Sequence, residues 1–285
     1  MSEKNELARG LKNRHVQLLA IGGAIGTGLF LGSGRAIHLA GPSILFAYLI
    51  TGVICFFMMR ALGELLLSNT QHHTFLEFVH EYMGERAAFI TGWTYWFCWI
   101  SLAMADVTAA GIYVQYWIPS IEPWVPSLVI LGILFCTNLL AVKIFGELEF
   151  WFALIKVLAI LALILGGLFL ILSGFETNVG PTSFVNLWSH GGWFPNGSNG
   201  FILSFQMVVF AFTGIELVGL TAGETSNPKR VIPKAINNIP FRIIIFYIGA
   251  LAIIMSIYPW NAVNPNSSPF VLVFKAAGII AAASI

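Results

Sequence analysis

Long uncharged apolar runs constrain the fold of this chain more than any other feature. Residues 157–172 are all aliphatic, aromatic or glycine, with no polar residues at alternate positions. A strand of a membrane β-barrel alternates apolar and polar residues over about 10 positions, whereas a helix crosses a bilayer with about 20 mainly apolar residues. The run therefore predicts a membrane-spanning helix.

Seven complete spans and the beginning of an eighth are predicted in the same way. The eighth begins near Phe270, before the sequence stops at Ile285. The complete spans cover residues 16–38, 42–67, 88–118, 125–142, 147–173, 200–222 and 241–262. Only 9% of the 285 residues are charged, against about 25% in a soluble domain. The sequence therefore predicts an all-α polytopic membrane protein and excludes a soluble enzyme. The net charge of +1 provides no basic surface for nucleic acid.

The distribution of Lys and Arg predicts the orientation of the spans. Arg35 and Lys275 fall on one side, whereas ten others fall in the N-terminal tail or in loops on the same side as the tail. These ten are Lys4, Arg9, Lys12, Arg14, Arg86, Lys143, Lys229, Arg230, Lys234 and Arg242. Because short cytoplasmic loops hold the excess of positive residues, the tail, residues 1–15, is predicted to be cytoplasmic. The loop 174–199 has neither Lys nor Arg and is predicted to be extracytoplasmic.

Two spans are predicted to be broken near their middle. The first span reads GGAIGTG at residues 22–28, and the sixth contains Phe-Thr-Gly at residues 212–214. Each glycine weakens a helix by about 1 kcal/mol relative to alanine. Interrupted helices at corresponding positions of two halves are typical of the substrate site of a transporter. Close helix packing is the alternative, because Gly22 and Gly26 also form a GxxxG pair. The matching break in the sixth span favours discontinuous helices.

The predicted breaks suit a zwitterion. The N–H groups freed at Gly26, Thr27 and Gly28 would begin a half-helix, whose positive end attracts a carboxylate. Carbonyl groups freed around the two breaks would attract an ammonium group, and two phenylalanines are predicted to close over the ligand. The complete predicted substrate-binding set is Ala24, Ile25, Gly26, Thr27, Gly28, Phe210, Phe212, Thr213 and Gly214.

Five motifs in order resemble the amino acid permeases of the amino acid–polyamine–organocation superfamily. They are GGAIGTGLF at 22–30, MRALGE at 59–64, GELEFWFALIK at 146–156, FAFTGIE at 210–216 and ETSNP at 224–228. The segments GWTYWFCW at 92–99 and MADV at 104–107 look most like the bacterial D-serine/D-alanine/glycine permeases.

The resemblance implies a fold of two inverted five-helix repeats with discontinuous helices one and six. The first repeat would cover residues 16–173, and residues 200–285 would form a partial second repeat of helices six, seven and the start of eight. The resemblance also implies proton-coupled import of a small amino acid through the bacterial cytoplasmic membrane, with no cofactor. Because the sequence stops inside the eighth helix, we expect either a partial record of a longer protein or a truncated gene.

Three ionisable residues fall inside predicted spans and are candidates for proton coupling: Lys156, Glu216 and Asp106. Charged groups in a bilayer are costly and are usually paired or functional. The resemblance places Lys156 near helix one and Glu216 at a position linked to proton sensing in related antiporters. Structural alternatives remain open for each: Lys156 pairs with Glu149 or snorkels, Glu216 caps a half-helix, and Asp106 bonds to a neighbouring helix.

Two charged patterns outside the spans are predicted to be structural. Arg60 and Glu64 have the i,i+4 spacing of a helical ion pair. His73, Glu77 and His80 have a spacing that resembles a metal site, but the apolar residues interleaved with them favour an amphipathic interfacial helix.

The predicted breaks and the motifs favour one of three functional classes. A secondary transporter with an amino acid, protons and the lipid bilayer as partners fits the breaks and the motifs. A membrane-embedded enzyme needs converging catalytic groups, which this sequence does not show. A non-transporting remnant of a permease, or a permease for another neutral amino acid, is the alternative.

Overall fold

A computed structural model describes residues 22, 25–69, 72, 74–139, 142–217, 228–265 and 267–276. Their backbone is mostly helical. The α-helices are α1 (Thr27–Phe30), α2 (Gly32–Ala40), α3 (Ile44–Ser68), α4 (Phe75–Met83), α5 (Glu85–Trp117), α6 (Trp124–Asn138), α7 (Val142–Leu172), α8 (Gly197–Ala211), α9 (Pro228–Asn237), α10 (Ile239–Arg242), α11 (Ala250–Ile257) and α12 (Pro269–Ala276). A π-helix, Ile243–Gly249, joins α10 to α11. Two short strands, β1 (Glu176–Thr177) and β2 (Gly180–Pro181), pair antiparallel in the loop after α7.

Several helices are long and apolar enough to cross a membrane, which agrees with the predicted class. Among the described residues they cover Gly32–Ser68, Glu85–Gln115, Glu147–Leu172 and Ile232–Ile257. The first of these contains the whole of predicted span 42–67 and only the last seven residues of span 16–38. Gly41, with a φ of 60°, and Pro42 form a short 3-10 turn that separates α2 from α3. Two shorter apolar helices are α6 and α8.

The described residues separate into two compact units. The first contains the described residues of Met59–Trp151 and Glu216–Ile236. The second contains those of Ala20–Met58, Phe152–Ile215 and Asn237–Ile285. Each unit is built from segments that are distant in sequence, and the predicted pair of five-helix repeats stays a prediction.

The first unit has close contacts between helices and one exposed ion pair. The Ser127 hydroxyl of α6 donates to the Val107 carbonyl of α5 at 3.2 Å. Arg60 Nε and Glu64 Oε1 lie 3.3 Å apart on α3, so the predicted i,i+4 pair is confirmed. Its exposed position limits its contribution to stability.

His72 ties the segment before α4 to that helix. Its Nδ1 lies 3.0 Å from Glu77 Oε2, and its Nε2 lies 2.7 Å from Glu81 Oε2. The imidazole edge packs on the Phe78 ring, with the two centroids 4.6 Å apart. Hydrogen bonding to Glu81 is the largest cause that raises the pKa of His72 above its ordinary 6.5. Desolvation opposes it, and the hydrogen bond to Glu77 adds a smaller upward effect. The predicted helix in this loop is confirmed as α4, while His73 lies outside the described residues.

The second unit is densely packed around α11. Seven of the eight α11 residues are buried, and two glycines let neighbouring helices approach. A Cβ added at Gly52 of α3 would lie 2.8 Å from Ile243, and one at Gly167 of α7 would lie 2.2 Å from Ile253. Alanine at either position would force the facing isoleucine side chain to shift.

The loop between α7 and α8 binds the ends of the helices of the second unit. The Asn196 amide donates to the His38 and Leu39 carbonyls at the end of α2, both at 3.0 Å. The Asn186 amide donates to the Ser256 carbonyl of α11 at 3.0 Å. The Trp260 indole N–H donates to the His190 carbonyl at 2.8 Å. This loop therefore fixes one end of α2, α8 and α11.

Candidate functional site

The backbone leaves the helical conformation in the middle of the first predicted span. Gly22 is helical, Ile25 and Gly26 form a bend, and α1 begins at Thr27. Gly26 is the N-cap residue, with extended φ and ψ angles of −131° and −163°, and no side chain caps it. The N–H groups of Leu29 and Phe30 both donate to the Gly26 carbonyl, at 3.1 and 3.2 Å, and close the first turn of α1. The predicted site residue Ala24 lies outside the described residues.

A second interruption lies at the end of α8. The helix ends at Ala211, and residues 212–216 form turns. The Thr213 N–H donates to the Phe210 carbonyl at 3.1 Å, and the Ile215 N–H donates to the Phe212 carbonyl at 3.2 Å. These bonds span three residues rather than the four of an α-helix. Gly214 has a φ of 98°, a left-handed conformation that other residues adopt only with strain.

The two interruptions are in direct contact within the second unit. A Cβ added at Gly28 would lie 2.6 Å from Ala211 Cα and 2.9 Å from Ala211 N. Both neighbours are backbone atoms, so no side-chain rotation relieves the overlap. Glycine at this position therefore lets α1 touch the last residue of α8.

Burial divides the predicted substrate-binding residues into two groups. Ile25, Gly28, Phe212, Gly214 and the contact residue Ala211 are buried. The residues that are partly accessible, and therefore able to meet a ligand, are Gly26, Thr27, Phe210 and Thr213. The space beside Gly26 is open, because a Cβ added there meets no atom within 4 Å.

The two phenylalanines of the predicted site differ in how tightly their side chains are packed. The Phe212 ring stacks on Tyr247 with centroids 5.0 Å apart and planes at 10°, and it also contacts Tyr48 at 5.9 Å. Phe210 is only partly buried. Closure over a ligand therefore costs less for Phe210, since Phe212 would first have to leave these aromatic contacts.

Lys156 lies on the face of α7 that packs against the first predicted span. A Cβ added at Gly22 would lie 2.3 Å from Ala153 Cβ, so the two backbones are close at this level. Lys156 is one turn beyond Ala153, and residues three apart share a helix face. Its side chain is partly buried. Lys156, the first interruption and residues 211–215 of the second interruption belong to the second unit.

Glu216 and Asp106 belong to the first unit. Glu216 is partly buried, and the buried Tyr95 hydroxyl lies close enough to it to interact electrostatically. Asp106 lies in the middle of α5 with an exposed side chain. The structure thus brings Lys156 into the same unit as the predicted site and leaves the two acids in the other.

Tyr48 and Tyr247 contact the second interruption and are absent from the set predicted from sequence. The only available signal was an aromatic hydroxyl inside an apolar span, at positions 48 and 247. Buried tyrosines usually find a hydrogen-bond partner, so this signal identifies candidates without showing what they bind.

Comparison with known proteins gives consistent matches along the chain. The family model described as amino acid permease matches residues 15–285. The chain is 72% identical to the uncharacterized transporter YdgF and 71% identical to the amino-acid permease AapA, both of Bacillus subtilis (strain 168), over 98% and 99% of its length. It is 54% identical, over 99% of its length, to the D-serine/D-alanine/glycine transporter of Escherichia coli (strain K12). The chain spans about 60% of the length of these relatives.

Proposed function

Because the chain belongs to the amino acid permease family, we propose that the full-length protein is a secondary active transporter that imports a small amino acid. The family consists of transporters and not of enzymes, as the sequence predicts. The observation that best supports the proposal is the contact between two helix interruptions at Gly28 and Ala211.

The proposed binding site uses backbone groups for the parts shared by all amino acids. The N–H groups at the start of α1 would bind the carboxylate, and the partial positive charge of a helix N-terminus favours that charge. Carbonyl groups around Phe210 and Thr213 would bind the ammonium group. Thr27 and Thr213 flank the ligand, and Phe210 covers it. The partial exposure of these residues supports their access to a ligand.

The proposed size of the substrate is taken from a relative, because the space beside Gly26 is open and sets no size limit of its own. The similarity to the D-serine/D-alanine/glycine transporter favours D-serine, D-alanine or glycine.

Protons are the proposed coupling ion, with Lys156 as the principal candidate. It lies one turn beyond Ala153, which closely approaches Gly22 of the first span, and it is partly buried. Glu216 and Asp106 are secondary candidates.

The proposed architecture is the inverted five-helix repeat in the bacterial cytoplasmic membrane, with a cytoplasmic N-terminus.

Uptake by the full-length protein in proteoliposomes tests this proposal. Labelled D-alanine is expected to accumulate under an inward proton gradient and to leave again when an uncoupler is added. Accumulation that persists with the uncoupler would contradict proton coupling. Absence of any uptake would favour a non-transporting relative.

Competition with a panel of unlabelled D- and L-amino acids tests the substrate. D-serine, D-alanine and glycine are expected to compete more strongly than larger side chains. Stronger competition by leucine or phenylalanine would contradict the proposed size limit and favour a permease for another neutral amino acid.

A further inference from the structure

One carbonyl group at the second helix interruption is bound by a side chain from another helix. The Tyr247 hydroxyl donates to the Ala211 carbonyl at 3.0 Å. Tyr247 is 2% exposed and Ala211 is 4% exposed, so water does not compete for this hydrogen bond.

The bond replaces one that a continuous helix would make. In an α-helix the Ala211 carbonyl would accept from the N–H of the residue four positions later, Ile215. Here the Ile215 N–H instead donates to the Phe212 carbonyl at 3.2 Å. The Tyr247 hydroxyl therefore occupies the acceptor that would otherwise extend α8 by another residue.

The ring of Tyr247 also holds the first residue after α8. It stacks on Phe212 with centroids 5.0 Å apart, and the Tyr48 ring contacts both, at 5.3 Å from Tyr247 and 5.9 Å from Phe212. These three residues are called the aromatic cluster, and all of them are buried. The hydroxyl and the ring of Tyr247 thus act on adjacent residues of the interruption.

Tyr247 is presented from the π-helix Ile243–Gly249. A π-helix holds more residues per turn than an α-helix, and such segments are frequent at functional sites. The altered turn shifts the direction of the side chains that follow, relative to a regular helix. A local departure from helical geometry in one span thus supports the departure in another.

We propose that Tyr247 is a positioning residue that keeps the end of α8 open for amino acid binding. This inference rests on the proposed function, because the opened segment contains Phe210 and Thr213 of the proposed site. Without the hydroxyl, the buried Ala211 carbonyl would recover a partner by accepting from Ile215, which would close the interruption. The backbone groups at residues 210–213 would then be withdrawn from the ligand.

The experiment compares Tyr247→Phe with Tyr48→Phe in the full-length protein. Both variants keep a ring in the aromatic cluster and lose one buried hydroxyl. Tyr48 is the matched control, since its hydroxyl has no hydrogen-bond partner among the described residues. The loss of one hydrogen bond corresponds to an affinity change of about tenfold. We expect Tyr247→Phe to raise the Kd for labelled D-alanine by about that factor and Tyr48→Phe to leave it unchanged.

Hydrogen–deuterium exchange of a peptide covering residues 208–217 provides a readout that does not depend on the ligand. Closure of the interruption predicts slower exchange in Tyr247→Phe than in Tyr48→Phe, because the Ile215 N–H enters a regular helical bond. A merely structural role predicts faster exchange in Tyr247→Phe than in Tyr48→Phe and would overturn the inference. An unchanged exchange rate and Kd in Tyr247→Phe would overturn it as well. If the unmodified protein binds no amino acid, the proposed function fails, and the exchange rates alone then decide the role of Tyr247.

Discussion

Replacement of Gly28 by alanine tests the contact between the two interruptions. The added Cβ would lie 2.6 Å from Ala211 Cα and 3.0 Å from Ala211 Cβ, whereas carbon atoms pack best at about 3.5–4.0 Å. Relief therefore requires α1 and α8 to separate by about 1 Å. Overpacking of this kind costs about 1–3 kcal/mol, so Gly28→Ala is expected to lower the free energy of unfolding by that amount.

The same displacement is expected to weaken amino acid binding. A shift of about 1 Å would move the N–H groups of α1 away from the carbonyl groups near Phe210, so the Kd for D-alanine is expected to rise about tenfold or more. Gly32→Ala is the control, because its Cβ would meet no atom closer than 3.8 Å. Thermal unfolding and scintillation-proximity binding of the two variants provide the comparison. Equal stability and equal affinity would refute the packing argument.

Three further predictions follow from the charged and amide groups. His72→Ala is expected to lower the melting temperature most at acidic pH. Because the folded state raises the pKa of His72, the imidazolium is stabilising below about 6.5, and this stabilisation is lost as pH rises through the folded-state pKa. A difference in melting temperature that does not depend on pH would contradict this. Lys156→Met is expected to retain D-alanine counterflow but lose proton-driven accumulation, and loss of both would instead indicate a structural role. Asn186→Ala removes the amide donors to Ser256 and Pro181 and is expected to cost about 1–3 kcal/mol in urea unfolding, whereas Ser189→Ala, at an exposed position, serves as the neutral reference.

The class of the protein was predictable because it depends on composition and local pattern. Apolar runs such as residues 157–172 have no stable position outside a membrane or a protein core, and α7 covers this run. The position of the first interruption was also foreseeable, since glycines at 22, 26 and 28 weaken a helix wherever it packs. The family followed from motifs that matched in order, and the match over residues 15–285 confirms it.

The partners of the interruptions were not predictable, because they come from distant segments. The sequence IIIFYIG at residues 243–249 contains no signal for a π-helix, and its first residue, Ile243, packs against Gly52 of the distant helix α3. The contact of Tyr247 with Ala211 joins residues 36 positions apart in the chain. Similarly, the spacing of His73, Glu77 and His80 drew attention to a helical pattern, whereas the imidazole that binds Glu77 belongs to His72, which precedes α4.

Three residues hold the loop between α7 and α8 by hydrogen bonds that pair a side-chain donor with a backbone acceptor. Asn186, Asn196 and Trp260 each supply a side-chain N–H, and every acceptor is a backbone carbonyl, at Ser256, at His38 and Leu39, or at His190. The side chain of an acceptor residue therefore contributes nothing to these bonds, whereas a change in any donor removes at least one. Among sequence variants of this protein, these bonds would constrain the donors, while the acceptor residues would be constrained only by their own packing, as at buried Ser256.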